Sequence, residues 1–500
     1  MTSMNRTLPA DFSISPNVHP PVVPTRRGGW SWLRHWQRTL FIVWVLGRFA
    51  WMLYRDLRRA RVHSDGGNLA VLPAEKLEAQ AARLREQLIR LGPTFIKIGQ
   101  ALATRADLLP VPFIQELAKL QNRVPPFPNS EAFAIIESEL GAPVSQLFRT
   151  VDPEPVAAAS LGQVYRGVRH DGQEVAIKVQ RPNLVARISE DVDILRRLAR
   201  WMASSKRLFK GNDWVGMIDE FERTIYAELD YRNEGRNAER FRQNFADWPR
   251  VHVPTIFWEQ TTSRVITMEF LRGICVTDLE GLAAAGIDAK EANELMYRTY
   301  FKQLLEDGFF HADPHPGNIL ILRDGRLAFF DFGMVGHISP TLQSQMVSAF
   351  FHLIERDAPG IVRDLVGLGF LSPEADMEDF ARVVEDLFRR KLDVNLSEVR
   401  FKDLTYDLGD IIYRYPFSTP ASFTFIIRAL MTLEGISITM NPRFNFLEVA
   451  LPYARDFLFR RESAQLREKV WASLHDARNG KLNWTRVWNL ARTALALYFA

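Results

Sequence analysis

Five hundred residues, 47% apolar and 24% charged, are too many for one compact domain and too ordinary in composition for a collagen-like, mucin-like or wholly disordered chain. No uncharged apolar run reaches the roughly 20 residues of a spanning helix, which excludes a polytopic membrane protein, and the single cysteine, Cys275, excludes a disulfide scaffold or a cysteine-cluster metal site. The net charge of +4 conceals a divided chain: residues 1–62 set ten Arg against Asp11 and Asp56, a net +8, so the remainder carries −4.

Residues 1–29 hold Pro9, Pro16, Pro20, Pro21 and Pro24 with little apolar content and are expected to be disordered. Residues 30–62 read as one helix that is rich in tryptophan: Trp30, Trp32, Trp36, Trp44 and Trp51. Its apolar stretch from Leu40 to Tyr54 is broken by Arg48 and flanked by Arg34, Arg38, Arg55, Arg58 and Arg59. That is too short and too charged to span a bilayer or to act as a signal peptide. Tryptophans between arginines suit a helix lying in the headgroup layer of an anionic membrane. The competing reading is a helix packed on the body with solvated arginines. Nucleic acid is a poorer partner, because no binding module accompanies the charge.

Residues 74–91 put Leu77, Ala81, Leu84, Leu88 and Leu91 on one stripe at three-four spacing. Gly92-Pro93 breaks that helix, and a second begins near Thr94. Pro110, Pro112, Pro125, Pro126 and Pro128 mark a boundary. From about residue 150 the period changes: Val164–Val168 and Glu174–Val179 read as strands around Asp171-Gly172, and Arg264–Phe270 as another. Residues 186–245 and 289–307 read as helical. Leu320–Leu322 and Leu327–Phe330 form a second hairpin around Asp324-Gly325, and the chain beyond 340 reads as helix. Helices, then a small antiparallel sheet, then a mostly helical region with one hairpin, is the order of a two-lobed, protein-kinase-like α+β fold with a helical N-terminal extension.

The chemistry concentrates at His311-Ala312-Asp313-Pro314-His315-Pro316-Gly317-Asn318, with Asp331-Phe332-Gly333 beginning thirteen residues after Asn318. Phosphoryl transfer to a hydroxyl needs a carboxylate to orient the nucleophile and oxygen ligands for the magnesium that neutralises the phosphates. Asp313 fits the first role, and Asn318 and Asp331 fit the second, at the spacing of a kinase catalytic loop and DFG turn. A zinc-type site on His311 and His315 is the competing reading, disfavoured because no third ligand of that type is evident. Lys178, late in Val175-Ala176-Ile177-Lys178, is placed to hold nucleotide phosphates. The loop that should cover them reads Ala157-Ala158-Ala159-Ser160-Leu161-Gly162-Gln163-Val164. Only Gly162 stands where a kinase glycine belongs, so this loop is expected to be stiffer than a glycine-rich one. Glu269 to Leu271 are expected to form the hinge that meets adenine through backbone groups. Glu222 and Glu228 are the two candidates for the carboxylate that positions Lys178.

These motifs make the chain resemble the UbiB/ADCK-type atypical kinases, over about residues 75 to 450. Four signatures carry the resemblance: Lys97-Ile98-Gly99-Gln100 as KxGQ, the alanine-rich loop at 157–160, Glu228-Leu229-Asp230 as ExD, and the loop at 311–318 with its DFG turn. The flanks Gly92-Pro93-Thr94-Phe95 and Thr104 to Pro110 are similar too. The resemblance implies a helical KxGQ extension over 74–148, an N-lobe over 150–272, a C-lobe over 273–455 and C-terminal helices over 456–500. Lys97 and Gln100, three apart on one helix face, would point into the nucleotide cleft, and Lys97 would pair with Glu228 and Asp230. It also implies binding of ATP with Mg2+, and support of isoprenoid quinone (ubiquinone) biosynthesis through quinone precursors or quinone-biosynthesis proteins. The setting would be peripheral, at the cytoplasmic face of the inner membrane. Two departures stand out. Asn122 replaces a usual Asp. The C-terminal Trp484–Ala500 segment contains Arg486 and Arg492 in place of a spanning helix, leaving it to cap a bundle, lie on the bilayer or form a homodimer. A small-molecule phosphotransferase and a non-catalytic, nucleotide-gated lipid scaffold are the rival functions.

Overall fold

The computed structural model describes Phe12–Ser13 and residues 31–62, 74–103, 109–121, 126–204, 214–355, 357–372, 374, 376–392, 421–442, 444–446, 448–450, 452–453 and 456. The expectations for Asn122, for Thr104–Leu108 and for Trp484–Ala500 lie outside these residues. So does the remainder of the segment 1–29, in which Phe12–Ser13 (β1) is described as a short strand. The chain divides into two compact units. One comprises residues 15–240 and 254–271; the other comprises 1–14, 241–253 and 272–500.

The first unit opens with a helical layer. Helix α1 (Ser31–Val62) is followed by α2 (Ala74–Leu91), α3 (Pro93–Leu102) and α4 (Val111–Ala118). The leucine stripe of α2 does what its period requires: Leu88 and Leu91 are buried with Phe95 and Ile96 of α3, Leu117 of α4, and Ile42 and Val45 of α1. Gly99 explains itself by packing. A Cβ there would clash with Leu120 and Leu88, so glycine lets α3 lie close against its neighbours. The layer is also tied by charge. Arg38 of α1 makes two bonds of 2.8 and 2.9 Å to the buried carboxylate of Asp191, whose second oxygen also accepts from Thr94 at 2.6 Å.

The sheet follows. Strands β2 (Thr150–Val151), β3 (Ala157–Ala158), β4 (Gly162–Val168), β5 (Glu174–Gln180) and β7 (Val265–Glu269) pair antiparallel in the order β2-β4-β5-β7, with β3 also on β4. Alternation assigns the two faces. Tyr165, Val175, Ile177 and Val179 are buried in a core with Ala132, Ile135 and Ile136 of α5 (Asn129–Leu140), which the short α6 (Val144–Leu147) follows. Val164 and Lys178, on the other face, are directly opposite one another across the ladder. The stretch 186–245, read as helical, holds three helices: α7 (Leu184–Ser204), α8 (Trp214–Leu229) and α9 (Tyr231–Asn244). Asp230 separates the last two because its carboxylate bonds the Arg232 N–H at 3.1 Å, a local turn that competes with helix continuation.

In the second unit, the predicted hairpin is β10 (Ile319–Leu322) with β11 (Leu327–Phe329). It is not isolated, as its local pattern suggested. Strand β8 (Gly273–Cys275) pairs with β10, and β6 (Val251–His252) runs parallel to β11, making a four-stranded sheet. A second small sheet joins β1, β12 (Val335–Ile338) and β9 (Phe309–His311). Around these stand helices α10 (Leu279–Ala284) and α11 (Ala289–Phe301), the α12–α13 pair (Pro340–Glu355 and Ala358–Gly367), α14 (Met377–Leu392) and α15 (Ala421–Met440). Among the described residues no helix is long and apolar enough to cross a membrane.

Candidate functional site

In the first unit, the pairing of Val164 with Lys178 sets the ammonium on the sheet face away from the apolar core. Its carboxylate partner is neither of the two candidates. Glu234 of α9 receives Lys178 Nζ on both oxygens, at 2.9 Å each. Glu222 instead pairs with Arg196, which also bonds Asp219 at 3.0 Å. Glu228 is taken by Lys97. The missed residue had a signal in the sequence: Tyr231, Glu234, Ala238, Phe241 and Phe245 recur at three-four spacing, so Glu234 falls on the buried stripe of its helix. A carboxylate there, 4% exposed, requires a cation.

The KxGQ and ExD expectation holds in half. Lys97 and Glu228 form an ion pair that is largely shielded from water. Asp230, in contrast, pairs with its own neighbour Arg232 at 2.8 Å. Burial alone would raise the Asp230 carboxyl, but the Arg232 side-chain and backbone bonds bring it below the ordinary value. Gln100 donates to the Leu120 carbonyl at 3.2 Å, which fixes α3 to the turn after α4.

The covering loop is held by its backbone. Ala157 and Ala158 pair with Val164 and Gln163, Ala159 N–H bonds Gly162 O at 2.8 Å, and Ser160 is buried. Gly162 is a packing glycine: a Cβ would run into the Val179 carbonyl and the Tyr231 hydroxyl. At the expected hinge, Glu269 N–H bonds Thr255 O at 2.9 Å and Phe270 N–H bonds Glu174 O at 3.0 Å. Both donors are thus engaged, one by the segment preceding β7 and one by β5, and Leu271 is the last residue of this unit.

In the second unit, the loop at 311–318 and the turn at 331–333 form one bonded structure. Asn318 Nδ2 donates to Asp313 O at 3.0 Å, His315 N–H to the same carbonyl at 2.8 Å, and Phe330 N–H to Asn318 O at 3.4 Å. Asp331 Oδ1 accepts Gly333 N–H at 3.0 Å. The hairpin register, Ile319 against Phe329, brings the two ends together. Phe332 is fully buried in an aromatic nest with Phe241 and His311.

His311 is the internal strut. Its Nδ1 accepts the Asp313 N–H at 3.2 Å, while Nε2 bonds the Asp331 carbonyl. These partners assign the neutral ring with the proton on Nε2. Burial lowers its basicity against the opposing pull of Asp313 and Asp331. With both nitrogens used, it offers nothing to zinc, and among the described residues no cluster of three or more His, Cys, Asp or Glu could hold a metal ion. Asn318 and Asp331 supply an amide oxygen and a carboxylate, a hard-oxygen pair that suits magnesium completed by phosphate and water.

Sequence reasoning missed Arg428, the one basic residue of α15. Its Nη2 donates to Ala312 O at 2.7 Å and lies 3.9 Å from Asp313 Oδ1. The signal was a single arginine in a mostly apolar helix whose one other charge is Glu434, which names no partner.

Comparison with known proteins follows this geometry. A family model described as the ABC1 atypical kinase-like domain matches residues 119–365, and one described as the UbiB helical domain matches 384–445. Uncharacterized protein slr1919 of Synechocystis is 41% identical over 94% of this chain and 80% of its own length. Uncharacterized protein sll0005 of the same organism is 42% identical over 83% of this chain. Protein activity of BC1 complex kinase 3, chloroplastic, of Arabidopsis thaliana is 38% identical over 96% of this chain. The chain spans only 61% and 65% of the lengths of the last two. A solved structure, the complex of Rv3197 with erythromycin from Mycobacterium tuberculosis, matches with TM-score 0.50 and 24% identity over 73% of this chain and 93% of that one; it speaks to fold alone.

Proposed function

The chain belongs to the ABC1 atypical kinase-like family and carries its UbiB helical domain, and from that premise we propose that it is an ATP-dependent enzyme acting at a membrane surface in support of isoprenoid quinone biosynthesis. The observation that carries the reading is the bonded set of Asp313, Asn318 and Asp331. Asp313 orients the acceptor hydroxyl, of water or of a lipid-like alcohol, and accepts its proton. The acceptor oxygen bonds to the γ-phosphorus as the bond to the β–γ bridging oxygen breaks, and ADP leaves. Lys178, held by Glu234, would bind phosphate oxygens. Asn318 and Asp331 would hold Mg2+, which when bound neutralises phosphate charge.

The membrane part of the proposal rests on α1. One face, through Ile42 and Val45, is buried. The opposite face exposes Trp36, Leu40, Val43, Trp44, Trp51 and Tyr54. Arg48 lies over Trp44 at 5.5 Å and Arg55 over Trp51 at 5.3 Å. Aromatic bodies edged by arginine match the headgroup layer of an anionic bilayer. We place the protein peripherally, at the cytoplasmic face of the inner membrane.

The test is Mg-dependent ATP turnover of the full chain with and without anionic vesicles. Asp313→Asn should abolish most turnover while leaving nucleotide affinity within a few-fold, and Asp331→Asn should remove the magnesium dependence of binding. Nucleotide binding with no hydrolysis in the wild-type protein would overturn the enzymatic reading in favour of a scaffold.

A further inference from the structure

The helical domain reaches into the loop that the proposed chemistry uses. Helix α15 is fixed to α11 by a buried bond from Ser437 Oγ to Asn293 Oδ1 at 2.6 Å. From α15 Arg428 extends to the peptide just before Asp313: 2.7 Å to Ala312 O and 3.9 Å to Asp313 Oδ1. Among the described residues these are the polar partners recorded for its guanidinium, and its buried Nε bonds nothing there. The arginine is therefore dedicated to this loop.

The rest of the loop backbone is already fixed by other groups. Tyr300 of α11 donates to His311 O, Ala312 N–H bonds Met334 O at 3.0 Å, and Asp313 N–H is held by His311. Asp313 O is occupied by His315 and Asn318. The Asp313 carboxylate projects from this fixed backbone, and Arg428 is a cation that faces it while bonding the adjoining Ala312 carbonyl. At 3.9 Å the pair is within Coulombic reach without a close bidentate lock, so Arg428 steers the carboxylate without clamping it. A planar fork can bond the carbonyl and face the carboxylate at once, which a lysine's single ammonium does less well.

We infer that Arg428 is a positioning residue for Asp313, acting through the Ala312 carbonyl and its charge, which makes the helical domain a working part of the reaction centre. The inference rests on the reading of Asp313 as the acceptor-orienting carboxylate.

The experiment is a double-mutant cycle in the full chain, reading Mg-dependent ATP turnover, nucleotide affinity by fluorescent-analogue titration, and melting temperature. Arg428→Gln keeps a donor for Ala312 O and removes the charge; its kcat should fall about a hundredfold with affinity for nucleotide within threefold. Arg428→Lys should recover part of the loss, to roughly a tenth of wild type. In an Asp313→Asn background, Arg428→Gln should cost almost nothing more, because the group it steers is gone. Equal turnover of wild type and Arg428→Gln would overturn the inference, as would a full additional loss in the Asp313→Asn background. Should Arg428→Gln fail to fold, the same cycle with Arg428→Lys decides between these outcomes. Full turnover by Asp313→Asn alone would instead sink the reading of Asp313, and the inference with it.

Discussion

A buried carboxylate on an apolar stripe selects its cation more sharply than sequence spacing does. Glu234 is the case in point: it sits among Tyr231, Ala238 and Phe241, and Lys178 neutralises it. Glu234→Gln should therefore lower ATP turnover by about ten- to a hundredfold and reduce the melting temperature, since it removes the carboxylate charge that holds the Lys178 ammonium on both oxygens. Glu222→Gln, which touches Arg196, should leave kinetics unchanged; comparable kinetic losses in both would refute the assignment. Gly162→Ala should destabilise by about 1–3 kcal/mol through collision with the Val179 carbonyl, read by chemical denaturation. His311 sets a pH limit. Its ring is held neutral in the fold, whereas the unfolded chain takes up a proton below about pH 6.5. The unfolded state then binds more protons, so this contribution is whole above that pH and is lost as the pH falls toward the lowered native value. A melting-temperature profile of His311→Gln should show a shallower acid decline than wild type, from a lower plateau. At this scale Asp313, Asn318 and Asp331 were legible as one cluster from motif spacing, and hydrogen bonds through His311 and Asn318 join them. Glu234 was legible in principle, and only the solvated default for acidic helix residues concealed it.

Elements with one buried face were read correctly, and those shaped by side-chain bonding were not. The α2 stripe and the β4–β5 hairpin follow from period alone. The break at Asp230 comes from a side chain bonding its own backbone, which leaves the helical periodicity on either side intact. The partners of the β10–β11 hairpin, β8 and β6, are two or three residues long and too short to announce themselves. Helix α1 presents both faces to a test. Trp44→Ser with Trp51→Ser, on the exposed face, should leave thermal stability within about 0.5 kcal/mol and weaken sedimentation with anionic vesicles at least tenfold. Ile42→Ala, on the buried face, should cost about 2–5 kcal/mol. Unaltered vesicle binding by the tryptophan pair would remove the lipid reading.

For the molecule as a whole, charge is partitioned more strongly than the net +4 suggests. The +8 of residues 1–62 against −4 elsewhere predicts that vesicle binding declines steeply between low and physiological salt, and that neutral vesicles bind poorly. Salt-independent binding would point to an apolar partner instead. The two-lobed order was readable because kinase motifs occur in a fixed sequence along the chain. Arg428 was not readable, because it lies 116 residues from the carbonyl it bonds and only tertiary packing brings them together. The bond between Arg38 and Asp191 has a practical corollary for anyone trimming this polypeptide to a tractable core. Cutting away the tryptophan-rich leader deletes the counter-ion of an acid that is 1% exposed. An orphaned interior anion of this kind costs about 3–5 kcal/mol, and the leucines beneath the lost helix would become sticky. Shortened versions should therefore come out of expression as aggregates, and Asp191→Asn is the substitution most apt to restore them to solution.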